Sequence, residues 1–141
     1  MTKSKKSTST TNCIFCQIAK GELPVSKRFE DKDMIAFDDI HPHAPIHVLI
    51  VPKKHIASLA DITPKDKELM GKIVYRCKEL AKKLNIADSG YRVTVNVGKW
   101  GGQVVSHLHF HLLGGAPLTD RLGIYYSEAA VSHERGQRVR G

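Results

Sequence analysis

Three histidines alternate with apolar residues in the segment His107–Leu113, which reads HLHFHLL. In a β-strand alternate side chains share a face and lie about 6.6 Å apart along it, whereas a helix would scatter them around its circumference. The alternation therefore predicts a strand over Val104–Leu113 that presents His107, His109 and His111 on one face. The intervening apolar residues are expected to pack on the other face.

A row of three imidazoles is suited to catalysis or to metal binding; the alternative is that the histidines lie on the surface by chance. Histidine changes charge near neutral pH and acts as a nucleophile towards phosphoryl centres. Such a nucleophile needs neighbours that fix its tautomer and donate hydrogen bonds to the phosphate oxygens. The turn Gly101-Gly102-Gln103, just before the row, offers backbone N–H groups and a side-chain amide, which predicts a phosphate cradle.

The other apolar patterns predict an α+β domain. Thr63-Pro64 is a favourable start for a helix, and apolar residues follow at three- and four-residue steps as far as Leu84, which predicts one long amphipathic helix. A short helix and further strands are predicted at Cys13–Lys20, Lys27–Glu30, Met34–Phe37, His47–Val51 and Tyr91–Val97. Strands on both sides of one long helix are typical of an antiparallel sheet with the helix on one face.

The length of 141 residues is typical of one domain, and much of the net charge of +8 lies at the two ends. Residues 1–12 hold three lysines and no acid, and residues 121–141 hold four arginines and two glutamates. We therefore expect a disordered basic tail over 1–12, a folded domain over 13–120 and a C-terminal extension over 121–141. No apolar run approaches the length of a membrane span, and the polar N-terminus does not resemble a secretion signal. These features predict a cytoplasmic protein with no membrane partner and no specific nucleic-acid partner.

The chain has three cysteines. Cys77 lies on the apolar stripe of the long helix and is expected in the core. Cys13 and Cys16 form a C-x-x-C pair. A redox pair of this kind would follow a strand, but only a polar leader precedes it. The remaining alternatives are two buried cysteines, or half of a tetrahedral zinc site that needs two more ligands.

Together these segments resemble the histidine triad (HIT) superfamily, whose signature is His-apolar-His-apolar-His-apolar-apolar. The longer string GGQVVSHLHFHLLGG, with APIHVLIVPKKHI and FDDIHPHAP upstream in the same order, is similar to the Hint branch. The resemblance runs from about Cys13 to Leu118. It implies a five-stranded antiparallel sheet with one long and one short helix, and a homodimer in which two sheets join into one of ten strands.

The resemblance also implies hydrolysis of the P–N bond of purine nucleoside phosphoramidates, such as a lysyl conjugate of AMP. By this comparison His109 is the nucleophile and forms a nucleotidyl-histidine intermediate. His111 binds a phosphate oxygen, and His107 and His47 belong to the supporting network.

The expected nucleotide contacts also follow from the resemblance. Asp39 would hold the ribose hydroxyls and Ile40 would line the base pocket, while the phosphate-side contacts would be Asn96, Gly102, Gln103 and Val104. Many Hint proteins carry serine where this chain has Val104, and that hydroxyl is thought to hold the phosphate or to pass a proton to the leaving amine. Val104 offers only its backbone N–H, so reduced turnover or another leaving-group route is expected.

Some bacterial members resemble this chain in carrying C-x-x-C near the start, and they bind zinc with two histidines. The matching positions are His55 and His107, which with Cys13 and Cys16 would form a structural zinc site. Three other functions stay open at this point. They are a dinucleoside polyphosphate hydrolase of the Fhit type, a nucleotide-binding adaptor with little turnover, and a metal-binding structural domain.

Overall fold

The computed structural model describes residues 12–120 and Gly123. These residues form one sheet of order β1-β2-β3-β5-β4, and every neighbouring pair of strands is antiparallel. The elements are α1 (Ile14–Ala19), β1 (Lys27–Glu30), β2 (Met34–Asp38), β3 (Ile46–Pro52), α2 (Lys67–Lys83), β4 (Tyr91–Val95) and β5 (Phe110–Gly114). The α+β class, the five strands and the two helices are thus confirmed. Except for Asn12 and Gly123, the expected tails lie outside the described residues.

The long helix begins where the sequence predicts, but through one turn of 3-10 helix at Pro64–Asp66. The Thr63 hydroxyl accepts a hydrogen bond from the Lys65 N–H, and the Asp66 carboxylate accepts one from the Thr63 N–H at 2.9 Å. This reciprocal capping satisfies amide groups that the first helical turn leaves unpaired. Helix α2 then buries one stripe, made of Ile73, Cys77, Leu80 and Ala81.

Two apolar clusters lie on the two faces of the sheet. The larger one joins the stripe of α2, including Cys77, to strand residues such as Val48, Ile50 and Leu112. The smaller one joins Phe15 and Ile18 of α1 to strand residues on the opposite face, such as Leu49 and Val51. Burial of each such large side chain contributes about 1.5–3 kcal/mol, so the sheet is held between a long helix and a short one.

The predicted strand over Val104–Leu113 is wrong in its first half, because β5 begins only at Phe110. Ile50 pairs with Phe110 in the β3–β5 ladder, so the position opposite Leu108 is Pro52, which has no N–H to donate. On the other side β4 ends at Val95. The Leu108 N–H leaves the sheet and donates to the Ile56 carbonyl at 2.7 Å.

The alternation of side chains nevertheless continues through this irregular segment. Leu108, Phe110 and Leu112 all belong to the larger cluster, on the α2 face. The rings of His107 and His109 contact Phe15, which belongs to the cluster on the α1 face. The histidines therefore share the face that the sequence predicts. Among the residues that the structure describes, no helix is long and apolar enough to cross a membrane.

Candidate active site

Four histidines from two neighbouring strands and the segment before β5 lie side by side on the α1 face. The ring centroids of His109 and His111 are 5.1 Å apart, and those of His47 and His111 are 5.2 Å apart. His47 lies on β3 and His111 on β5, whose antiparallel register brings the two rings together. The chain thus assembles the predicted row and adds His47 to it.

The tautomer of His109 follows from a backbone contact. Its Nδ1 lies 2.7 Å from the carbonyl oxygen of His107. A carbonyl oxygen only accepts hydrogen bonds, so Nδ1 carries the proton and donates it. In the neutral form of His109 the lone pair is therefore on Nε2, and the buried ring is held with this nitrogen available as a nucleophile.

A second backbone group fixes the tautomers of His47 and His111. The His43 N–H donates to His47 Nδ1 at 3.0 Å, so the neutral His47 ring carries its proton on Nε2. That Nε2–H donates to His111 Nδ1 at 2.9 Å. His111 in turn must carry its own proton on Nε2, which makes this nitrogen a hydrogen-bond donor next to His109.

Burial favours the neutral form of His47 and His111. Burial, together with nearby His109 and His47, lowers the pKa of His111 to about 4 against the opposing charge of Asp39. Burial also lowers the pKa of His47. The hydrogen bonds from the His43 N–H to His47 and from His47 to His111 form a relay. Neutral rings suit this relay, because each nitrogen then has one defined role as donor or acceptor.

Asp39 lies immediately after β2, at the edge of the histidine row. One carboxylate oxygen is 3.5 Å from His47 Nε2, and the Asp39 N–H donates to the His47 carbonyl at 2.9 Å. The next residue, Ile40, is 84% exposed, so its side chain stands open to a ligand. A carboxylate accepts several hydrogen bonds, which leaves Asp39 free to accept from further hydroxyl groups.

The structure of the Gly101-Gly102-Gln103 turn differs from the phosphate cradle that the sequence predicts. The N–H groups of Gly101, Gly102 and Gln103 all donate within the turn, to the carbonyls of Gly98 and Lys99. The Gln103 amide donates to the carbonyls of Ala57 and Val105 and accepts from the Gly98 N–H. These donors are used in closing the turn and in tying it to Ala57, so the turn does not present the unhindered donors that the sequence predicts.

The turn and its neighbours Asn96 and Val104, together called the rim, are largely exposed. The Asn96 amide donates to the Gly101 carbonyl at 2.7 Å, which ties the end of β4 to the turn. Val104 is 90% exposed, and its N–H has no partner among the described residues. Val104 therefore offers the first backbone donor after the turn that is not used within it.

The C-x-x-C pair meets the two histidines that the resemblance implies. The potential ligand atoms of Cys13, Cys16, His55 and His107 all lie within 4.8 Å of one another. Cys13 Sγ is 3.2 Å and Cys16 Sγ 3.5 Å from His107 Nδ1, and Cys16 Sγ is 3.1 Å from His55 Nδ1. The ligand atoms of a tetrahedral zinc ion lie about 3.3–3.8 Å apart. Two thiols and two imidazoles at this spacing fit zinc.

The orientation of His107 supports the same interpretation. Its Nε2–H donates to the Pro52 carbonyl at 2.8 Å, so its Nδ1 lone pair points towards the sulfur atoms. Burial lowers the pKa of His107 to about 4, which keeps the ring in the neutral form that binds metals. Burial and the neighbouring Cys13 raise the pKa of the Cys16 thiol to about 11. A bound cation would supply the positive charge that stabilises the thiolate form of this buried thiol.

Two residues of the site escaped the sequence analysis. Phe15 packs between the Cys13, Cys16, His55 and His107 cluster (the metal cluster, as the candidate site is called below) and the histidine row, and its position between Cys13 and Cys16 was the available signal. His43 acts through its backbone N–H, which any residue except proline possesses. Its identity therefore carried no signal.

Comparison with known proteins agrees with this geometry. The family model described as "Scavenger mRNA decapping enzyme C-term binding" matches residues 12–121. Protein HitA of Neisseria gonorrhoeae is 46% identical over 103 residues, which cover 73% of this chain and 95% of HitA. The crystal structure of a HIT family hydrolase from Legionella pneumophila Philadelphia 1 superposes with a TM-score of 0.78 at 50% identity, covering 79% of this chain and all of that one. The chain belongs to the histidine triad superfamily.

A more distant HIT structure has a similar fold. The histidine triad nucleotide-binding protein from Candida albicans is 34% identical, with a TM-score of 0.66, and the match covers 89% of this chain and 95% of that one. The match to the family model over residues 12–121 includes the whole sheet and the histidine row.

Proposed function

We propose that this HIT protein is a nucleotide hydrolase that cleaves the P–N bond of purine nucleoside phosphoramidates. The observation that carries the proposal is the pair of fixed tautomers, with a lone pair on His109 Nε2 beside a proton on His111 Nε2. A nucleophile next to a neutral hydrogen-bond donor suits attack on a phosphorus atom whose oxygen accepts that bond. The similar proteins from Legionella and Candida are described as a hydrolase and as a nucleotide-binding protein, which supports the same class.

The reaction takes two displacements. His109 Nε2 attacks phosphorus and forms a new N–P bond while the bond to the amine breaks, and the amine leaves with the electron pair and takes a proton from water. Water then attacks phosphorus, the bond to His109 breaks, and the Nε2 lone pair returns as nucleoside monophosphate leaves. The proton taken from water in the first step is returned in the second, so the sum is hydrolysis. His111 donates to a phosphate oxygen throughout.

The remaining contacts bind the nucleotide. We assign the ribose hydroxyls to Asp39, because its carboxylate has free acceptor capacity beside the histidine row. We assign the base to Ile40, because its side chain is open to solvent. The rim residue Val104 would donate its backbone N–H to the phosphate. Asn96, Gly102 and Gln103 would shape that rim, since the turn uses their donors.

We also propose a structural zinc ion on Cys13, Cys16, His55 and His107. The support is the spacing of the four atoms and the tautomer of His107. Four protein ligands fill a tetrahedral site, so the ion would hold α1 to the sheet and would leave no position for a reactive water.

A homodimer through β4 is proposed on the properties of the two sheet edges. Strand β1 ends the sheet on one side with a charged sequence, KRFE, which discourages strand pairing. Strand β4 ends it on the other side, where Tyr91 and Val93 are more than one-third exposed. An apolar edge of this kind is suited to pairing with a second copy.

The test is incubation with a fluorogenic adenosine tryptamine phosphoramidate and, separately, with a dinucleoside polyphosphate. We expect turnover of the phosphoramidate, a mass increase of one nucleotidyl group on quenched protein, and loss of both in His109→Ala. The matched control is His41→Ala, since the ring of His41 is exposed. Faster turnover of the dinucleoside polyphosphate would show that the substrate class is that of the Fhit type. Nucleotide binding without any adduct would show that the protein is an adaptor and not an enzyme.

A further inference from the structure

Helix α1 connects the metal cluster to the histidine row through Phe15. This ring is 6% exposed and meets the His107 ring at 5.9 Å and the His109 ring at 5.1 Å between centroids. Both contacts are edge-to-face, with interplanar angles of 76° and 80°, within the range of favourable aromatic pairs. Among the described residues, the aromatic rings against His109 are those of Phe15 and His111.

The His109 ring needs such a wall to stay in one orientation. Its hydrogen bond to the His107 carbonyl fixes the position of Nδ1. Rotation of the ring about its bond to Cβ would break this hydrogen bond and would turn Nε2 away from the phosphorus atom of the proposed substrate. A side chain packed against the ring opposes this rotation, and Phe15 occupies that place.

The position of Phe15 depends on the anchoring of α1. A helix of six residues has no stability of its own in water. At its start the Cys13 sulfur accepts a hydrogen bond from the Cys16 N–H at 3.4 Å. The two cysteines flank Phe15 in sequence, so an ion bound to both sulfurs would fix the helical turn that carries the ring.

His107 gives the metal cluster a second link to the nucleophile. Its Nδ1 faces the two sulfurs, and its carbonyl accepts a hydrogen bond from His109 Nδ1–H. The two links, one through a packed ring and one through a backbone carbonyl, converge on the same imidazole.

We propose that metal loading at the Cys13/Cys16 cluster sets the orientation of the His109 ring, with Phe15 as the positioning residue between them. This rests on the proposed function and the proposed zinc site. It gives the ion a part in activity beyond holding the fold, without any contact with substrate.

The test uses full-length protein with ¹⁵N-labelled histidine. In the zinc-loaded wild type we expect the His109 ring resonances of a single tautomer protonated on Nδ1. Removal of zinc by a chelator should shift them towards a mixture of tautomers, and readdition of zinc chloride should restore them. Zinc-loaded Phe15→Leu should show the mixture while still binding one zinc per chain. The matched control is Phe29→Leu, because Phe29 is an aromatic residue that packs against Arg76 on the α2 face. Its His109 resonances should be those of the wild type.

Kinetics add a second measurement. Phe15→Leu should lower kcat by up to about tenfold, the range expected for one aromatic pair, with a smaller change in KM. If Phe15→Leu does not fold, Phe15→Met keeps an apolar side chain and takes its place. Unchanged His109 resonances in the zinc-loaded variant, or in chelated wild type, would overturn the inference. The resonances need no turnover, so they test it even if the phosphoramidate is not cleaved.

Discussion

The backbone carbonyl of His107 holds the side chain of His109, with 2.7 Å between the oxygen and Nδ1. The two residues are separated by Leu108, whose side chain is fully buried on the opposite face of the sheet. The irregular chain before β5 makes this bond possible, because in a regular strand the His107 carbonyl would be directed to a neighbouring strand. The departure from β structure thus serves the nucleophile.

The His43 N–H is expected to control the relay that ends on His111. His43→Ala keeps this N–H and should retain near wild-type kcat. His43→Pro removes it, frees His47 to change tautomer and should lower kcat by about tenfold, the weight of one hydrogen bond. Phosphoramidate kinetics with circular dichroism as a fold check would measure this. Equal activity of the two variants would contradict the relay.

Stability should fall as the pH is lowered from about 6.5 to about 4. In this window an unfolded His111 binds a proton, whereas the folded ring, with a pKa of about 4, does not. The unfolded state then binds more protons, so stability rises with pH. We expect the Tm of wild type to depend on pH more steeply here than that of His111→Gln. Carboxylates such as Glu30, with a pKa of about 2, act mainly below this window.

Zinc should stabilise the fold through Cys16. Metal analysis of untagged protein is expected to give one zinc per chain, and Cys16→Ser should lose it and unfold at a lower temperature. Cys77→Ala, on the α2 face, is the matched control. It should lower Tm by its lost packing alone and keep the ion. Zinc retained in Cys16→Ser would remove this site from the proposal.

A hydroxyl at the rim should raise turnover. Val104→Ser places a proton donor where a leaving amine would depart, and because Val104 is 90% exposed the change should cost less than about 0.5 kcal/mol of stability. We expect kcat for the phosphoramidate to rise several-fold. Val104→Ala, which adds no hydroxyl, is the control. An equal kcat in the two variants would show that water suffices as the proton source.

A charge on the β4 edge should prevent dimerisation. Val93 is 38% exposed on this edge strand, and Val93→Lys places an ammonium group where a second copy would pair. Analytical ultracentrifugation is expected to give a dimer for wild type and a monomer for the variant. Arg28→Lys, on the opposite edge strand β1, keeps the charge there and should stay dimeric. A monomeric wild type would reject the dimer.

Periodicity in the sequence accounts for most of the fold. The apolar stripe from Leu69 to Leu84 places α2, and the alternation at His107–Leu113 assigns the histidines and leucines to opposite faces. Such patterns are local, since they reflect the repeat of a helix or strand. The start of β5 was not predictable in this way, because it depends on Pro52, a residue far away in the sequence.

The sequence by itself determined the ingredients of the site: the histidine row, the C-x-x-C pair and the acid at Asp39. The tertiary structure decided which nitrogen of each histidine carries the proton. The carbonyls of His107 and Pro52 and the N–H of His43 fix those protons. It also decided that the donors of the Gly-Gly-Gln turn are already used, within the turn and on Ala57, and that Phe15 meets His109. The physical reason is that a tautomer depends on which groups the folded chain brings to a ring. Pro52 is 55 positions away from His107, whereas the His107 carbonyl and the His43 N–H are near their rings in sequence and reach them only in this chain conformation.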